Sequence, residues 1–115
     1  MVIPSAGAVV LVRFPFSDLS GSKLRPAVIL ADAGRNDFVL CQITSQPYTD
    51  PRAVEIASPD LSSGAFQKTS YARPGKIFTA NSTIIVKQIG VLTTAKLWEI
   101  SSVIITLLAK NSTQI

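Results

Sequence analysis

Three observations in a chain of 115 residues predict a mainly β domain, a small and strongly bent barrel closed by a C-terminal helix. Its apolar residues fall in short β-branched runs, those runs are broken often by Gly, Pro, Asp and Ser, and only one late segment has helical spacing. The length suits one domain over residues 1–115 with a single modest core. Apolar residues make up 47% of the chain and charged ones 16%, a balance that lets it bury enough surface to fold.

Residues 8–14 (AVVLVRF) and 26–31 (PAVILA) are too brief for helices and read as strands. Residues 38–44 (FVLCQIT) make a third strand, and residues 53–57 (AVEIA) alternate as a fourth, with Glu55 on the polar face. Residues 76–80 and 83–92 complete the set. From Thr93 onward, Leu97, Ile100, Ile104, Leu107 and Leu108 recur at helical offsets, which predicts a helix over residues 94–110 whose apolar stripe covers one barrel opening. Thr93 or Thr94 can cap its start, Lys110 sits in its last turn, and Asn111 can end it. Trp98, beside the stripe, reads as a packing or dimer-interface anchor in preference to a nucleotide-stacking residue. Between the first two strands, residues 14–24 (FPFSDLSGSKL) exceed what a hairpin needs and suggest a binding flap. Residues 48–52 and 58–64 are further polar loops.

The residue inventory restricts the chemistry. There is no His, which removes imidazole catalysis, and one Cys removes an internal disulfide and any cluster of thiolate and imidazole metal ligands. No cofactor or metal is expected, and catalysis must draw on Arg, Lys, hydroxyls or carboxylates. Cys41, beside Leu40 and Ile43, reads as a buried small hydrophobe. Eleven Lys and Arg against seven Asp and Glu give a net charge of +4, a mild bias that accommodates an anionic partner. Residues 1–12 are apolar but lack a basic leading segment and an export cleavage pattern, and no apolar run approaches transmembrane length, so a cytoplasmic protein without membrane contact is expected.

Residues 7–30, GAVVLVRFPFSDLSGSKLRPAVIL, resemble the N-terminal signature of the MazF/PemK family of bacterial toxins. The likeness continues through residues 41–46 (CQITSQ), 64–79 (GAFQKTSYARPGKIFT), 89–93 (IGVLT) and the terminal helix, nearly the whole chain. It implies an SH3-like barrel of the CcdB/PemK type, a homodimer, an antitoxin partner, and metal-free cleavage of single-stranded RNA, with any DNA contact made only through the antitoxin. Position by position, it implies that Arg25 and Thr44 are catalytic and that Arg73 belongs to the same centre. Two positions depart from the family pattern: Gly75 stands where an Asp follows that second Arg, and Ala8 stands where an acid follows the leading Gly.

Metal-free RNA cleavage uses the neighbouring 2′-hydroxyl as nucleophile, and the protein must neutralise charge growing on phosphorus. Arginine suits this task because its planar fork stays ionised and can donate two hydrogen bonds. Arg25 takes that role, with the Thr44 hydroxyl as a second donor and Ser45 as its near substitute. Arg73 stands between a phosphate contact and a structural salt bridge. Phe14 and Phe16 stand between base stacking and core packing, with at least one assigned to core. Arg73, Ser45, Phe16 and Lys23 form the expected RNA-binding set. Glu55, Asp18 and Asp50 are available for proton transfer, and none is singled out. Two other readings remain: a noncatalytic RNA- or antitoxin-binding module, and a gyrase-inhibiting toxin of the same fold.

Overall fold

The computed structural model describes residues 4–15, 22–47 and 49–112. Its elements are β1 (Ala8–Pro15), β2 (Ser22–Gly34), β3 (Asp37–Thr44), β4 (Val54–Ile56), β5 (Leu61–Gly64), β6 (Ser70–Asn81), β7 (Ile85–Leu92) and α1 (Thr94–Ser112), with short 3-10 turns at Ser58–Asp60 and Ser82–Ile84. The strands make one seven-stranded sheet in the order β4-β6-β3-β2-β1-β7-β5, every neighbouring pair antiparallel. This is the predicted small barrel in a curled half-barrel form, with β4 and β5 as its two edges.

Local chemistry explains where the strands turn. Arg35 and Asn36 have φ of 56° and 64°, the left-handed pair that a two-residue type I′ hairpin requires, and Asp32 steadies the turn by accepting the Gly34 N–H at 2.8 Å. β2 therefore runs further than residues 26–31 in both directions, toward this hairpin and back along β1. Pairing of β1 with β2 reaches Pro15↔Ser22, so the expected flap narrows to residues 16–21, outside the described set together with its Phe16 and Asp18. β5 corrects the polar-loop reading of residues 58–64. Its last residue, Gly64, pairs with Gly90 at such close quarters that an added Cβ would run into the Ile89 carbonyl, an approach that a composition-based reading of LSSG does not suggest.

Because opposite residues of a strand pair share a face, two cores follow from the register. Val9, Val28, Cys41, Ile43, Val54, Ile56 and Ala72 line one face and bury Ile100 and Ile104 of α1. Val10, Val12, Ala27, Ile29, Phe38, Leu40 and Ala80 line the other, closed by Phe14, Phe78 and Ile85 as the sheet curls. Phe14 meets Phe78 edge to face with centroids 4.8 Å apart, which settles it as packing.

α1 starts where the sequence places it, with Thr93 Oγ1 accepting the Lys96 N–H at 3.2 Å as N-cap. Asn111 donates to the Leu107 carbonyl at 2.8 Å near its end. One expectation for its faces is corrected and another is narrowed. Leu108 is 55% exposed, because the helix rotates it beyond the stripe that Ile100 and Ile104 bury. Trp98 is 66% exposed, so it anchors no packing within this chain.

Candidate functional site

Strand alternation carries several polar side chains to the same end and the same face of the sheet. Thr44, the last residue of β3, pairs with Tyr71 of β6, and Tyr71 pairs in turn with Glu55 of β4. These three share one face, opposite the row Ile43–Ala72–Val54 that packs under α1. Arg25 belongs to that face by two independent routes. It alternates with the buried Ala27 and Ile29, and it pairs with Val12 of β1, all of them in the core away from α1. Ala27 pairs with Gln42, two residues before Thr44 on β3, so Arg25 and Thr44 lie on the same face, each two residues beyond that pair. The ladder between β2 and β3 ends at Ala27↔Gln42, so Thr44, Tyr71 and Glu55 form a row across three strands, and Arg25 lies on the same face of β2 beyond the last paired residues.

The Thr44 hydroxyl is already engaged. It accepts the Gln46 N–H and donates to the Gln46 carbonyl, each at 3.1 Å, closing the turn that takes the chain off β3. Ser45 lies inside that turn and is exposed. Arg25 is half-buried. Lys23, two residues back on β2 and opposite Phe14, is exposed on the same strand face as Arg25.

Arg73 is placed by an irregularity. Between Cys41↔Ile77 and Ile43↔Ala72, two steps along β3 are matched by five along β6, and the four intervening residues Arg73-Pro74-Gly75-Lys76 bulge out opposite the single Gln42. Proline cannot donate to the ladder, which is why the pairing opens here, and Pro74 is fully buried. The Cys41 thiol donates to the Arg73 carbonyl at 3.2 Å, and burial pushes its pKa up to about 12. At the other end of the side chain, Arg73 Nε donates to Asp50 Oδ2 at 3.1 Å. Both partners are partly buried, with side chains 20% and 14% exposed. The Arg52 backbone N–H and the Arg73 guanidinium hold the Asp50 carboxyl below its usual range.

Arg25 and Thr44 thus share one face of adjacent strands, with Ser45 and Arg73 at the same end of the sheet and Lys23 along the same strand as Arg25, while Phe16 lies outside the described residues. Arg73 meets the salt-bridge side of its two readings through a residue 23 positions away, and a carboxylate therefore stands beside it although position 75 is Gly. No local spacing marks that pair, nor the placement of Tyr71 between Thr44 and Glu55. Among the described residues, no three His, Cys, Asp or Glu side chains are grouped to hold a metal ion, and no helix is long and apolar enough to cross a membrane. The concavities of about 360 Å³ beside Pro4, Ile85 and Lys87 and about 350 Å³ beside Arg52, Val103 and Leu107 include none of Arg25, Thr44 and Arg73.

Comparison with known proteins gives one family and many folds of the same shape. Residues 5–108 match the model of the PemK-like, MazF-like toxins of type II toxin-antitoxin systems. No curated protein sequence matches the chain. Among solved structures, it is similar to an endoribonuclease in complex with its cognate antitoxin from a mycobacterial species, with 22% identity, 95% of this chain and 96% of that one covered, and a TM-score of 0.68. It is similar to MazF in a MazE-MazF crystal structure from Deinococcus radiodurans, with 20% identity, coverage of 95% and 98%, and a TM-score of 0.76. It is similar also to the Mycobacterium tuberculosis toxin MazF-mt6, with 14% identity, coverage of 87% and 96%, and a TM-score of 0.65.

Proposed function

This chain belongs to the PemK-like, MazF-like toxins of type II toxin-antitoxin systems, and from that premise we propose that it is a metal-independent endoribonuclease that cuts single-stranded RNA. It acts as a homodimer in the cytoplasm and is held inactive by a cognate antitoxin. In the cleavage step the 2′-oxygen bonds to phosphorus as its proton leaves, and the bond from phosphorus to the 5′-oxygen breaks as that oxygen takes up a proton. The products are a 2′,3′-cyclic phosphate and a 5′-hydroxyl.

The observation that supports this reading is that Arg25 and Thr44 share a face of the adjacent strands β2 and β3, and that the β6 bulge bearing Arg73 lies against the same end of β3. Arg25 stabilises the charge that grows on the nonbridging oxygens, and Thr44 turns its hydroxyl from the Gln46 carbonyl to the same phosphoryl group while still accepting the Gln46 N–H. Arg73 adds a second positive charge, and Ser45, Lys23 and Phe16 contact the RNA on either side. The relatives named an endoribonuclease and its antitoxin complex support the RNA target and the partner.

Cleavage of a long mixed-sequence single-stranded RNA in EDTA, by wild type and Arg25→Ala, tests the proposal. Wild type should cut, and the variant should be slower by on the order of 10² to 10³. Equal cutting by the two removes Arg25 from the mechanism. Binding without cutting by wild type makes the chain a noncatalytic module, and inhibition of gyrase without cutting makes it a toxin of the other class.

A further inference from the structure

We propose that Asp50 is the positioning residue for Arg73, fixing its guanidinium beside the scissile phosphate from a loop outside the strands that carry the site. The inference rests on the endoribonuclease reading above and assigns a residue which that reading leaves without a role.

Asp50 is braced from several directions. Its N–H donates to the Pro47 carbonyl at 2.9 Å, its carbonyl accepts the Ala53 N–H at 3.2 Å, and its Oδ1 accepts the Arg52 N–H at 3.0 Å. That leaves Oδ2 directed at Arg73 Nε, 3.1 Å away. The loop bearing Asp50 begins at the turn that Thr44 closes, so Thr44 and Asp50 bracket one short segment.

Arg73 needs such a brace because its own backbone lies in a bulge. The buried Pro74 and the thiol on the Arg73 carbonyl secure its main chain. A long side chain rising from there has many rotamers, and an Nε bond selects the plane in which the Nη groups lie. Phosphate recognition by arginine depends on that plane, since the fork donates in parallel. Partial burial of the pair reduces screening compared with a fully exposed bridge. Asp50 is poorly suited to proton transfer, because its neighbours favour the ionised form and so weaken it as a base.

Single-turnover cleavage of the same RNA by wild type, Asp50→Asn, Asp50→Ala, Arg73→Ala and the double variant Asp50→Ala/Arg73→Ala tests this, with RNA affinity measured alongside and folding checked by thermal melting. Asp50→Asn keeps the size and the acceptor for the Arg52 N–H, so it reports on the site even where Asp50→Ala unfolds. Removing the charge should lower the cleavage rate constant by about 10- to 100-fold with affinity changed much less, and the double variant should be no slower than Arg73→Ala. Wild-type cleavage combined with equal rates for Asp50→Asn, or with losses at the two sites that multiply, overturns the positioning role and leaves the endoribonuclease reading standing. A wild type that does not cut overturns both.

Discussion

At the scale of single residues, hydrogen bonding fixes the Thr44 side chain. Thr44 uses one hydroxyl to accept from and donate to Gln46, so the donor that the proposed reaction needs also shapes the turn. Thr44→Val keeps the shape and removes both bonds; RNA cleavage should fall by about 10² or more, and Thr44→Ser should keep most of the rate in the same gel assay. Cys41 has a different consequence. Burial pushes its pKa from 9.0 to about 12, so above pH 9 the unfolded chain loses a proton that the folded chain retains. The raised folded value means that this contribution to stability is complete below pH 9 and is lost as pH rises toward 12. Chemical denaturation of wild type and Cys41→Ala across that range should show a steeper decline for wild type, and parallel curves would show that the thiol is not protected. Cys41 and Trp98 show the limits of reading residues singly. Cys41 is buried as its apolar neighbours suggest, whereas Trp98 stands exposed, because no pattern in the sequence specifies how the helix is rotated on the sheet.

At the scale of elements, the irregularities matter more than the regular strands. The β6 bulge moves Arg73 to its place, and its cause is visible in Pro74 and Gly75, yet its extent depends on β3 continuing straight past it. The sequence shows the later half of β6 clearly and hides the first half, whose residues Ser70–Arg73 take strand form only because β3 and β4 pair with them. β5 is hidden for the same reason: four residues, two of them Ser, become a strand by docking against β7. That docking depends on Gly64, which has φ +81° and faces Gly90. Gly64→Ala should destabilise the protein by about 1–3 kcal/mol in thermal or chemical denaturation, through both the strained backbone and the collision with the Ile89 carbonyl. For α1 the legible signal was sufficient, and Thr93→Ala should cost about 1 kcal/mol by removing the cap on the Lys96 N–H.

At the scale of the whole molecule, a net charge of +4 accommodates the polyanion of the proposed reaction. RNA affinity should therefore fall steeply with salt, the logarithmic slope changing by about 0.7 for each phosphate left without a neutralising cation, so that Lys23→Ala flattens the dependence while Trp98→Ala does not. The short β-branched runs, their turn residues and the spacing of Leu97, Ile100 and Ile104 by themselves determined a small bent β-domain with one terminal helix, because hydrophobic periodicity and backbone preference are properties of adjacent residues. The residue pattern around Arg25, Thr44 and Arg73 also pointed to the family. Only the tertiary structure decided which residues come together: Arg25 and Thr44 on one face, Tyr71 paired between Thr44 and Glu55, and Asp50 on Arg73. Those meetings depend on strand register, on a bulge and on a loop returning to the sheet, and each is set by burial of distant apolar residues that no local spacing records.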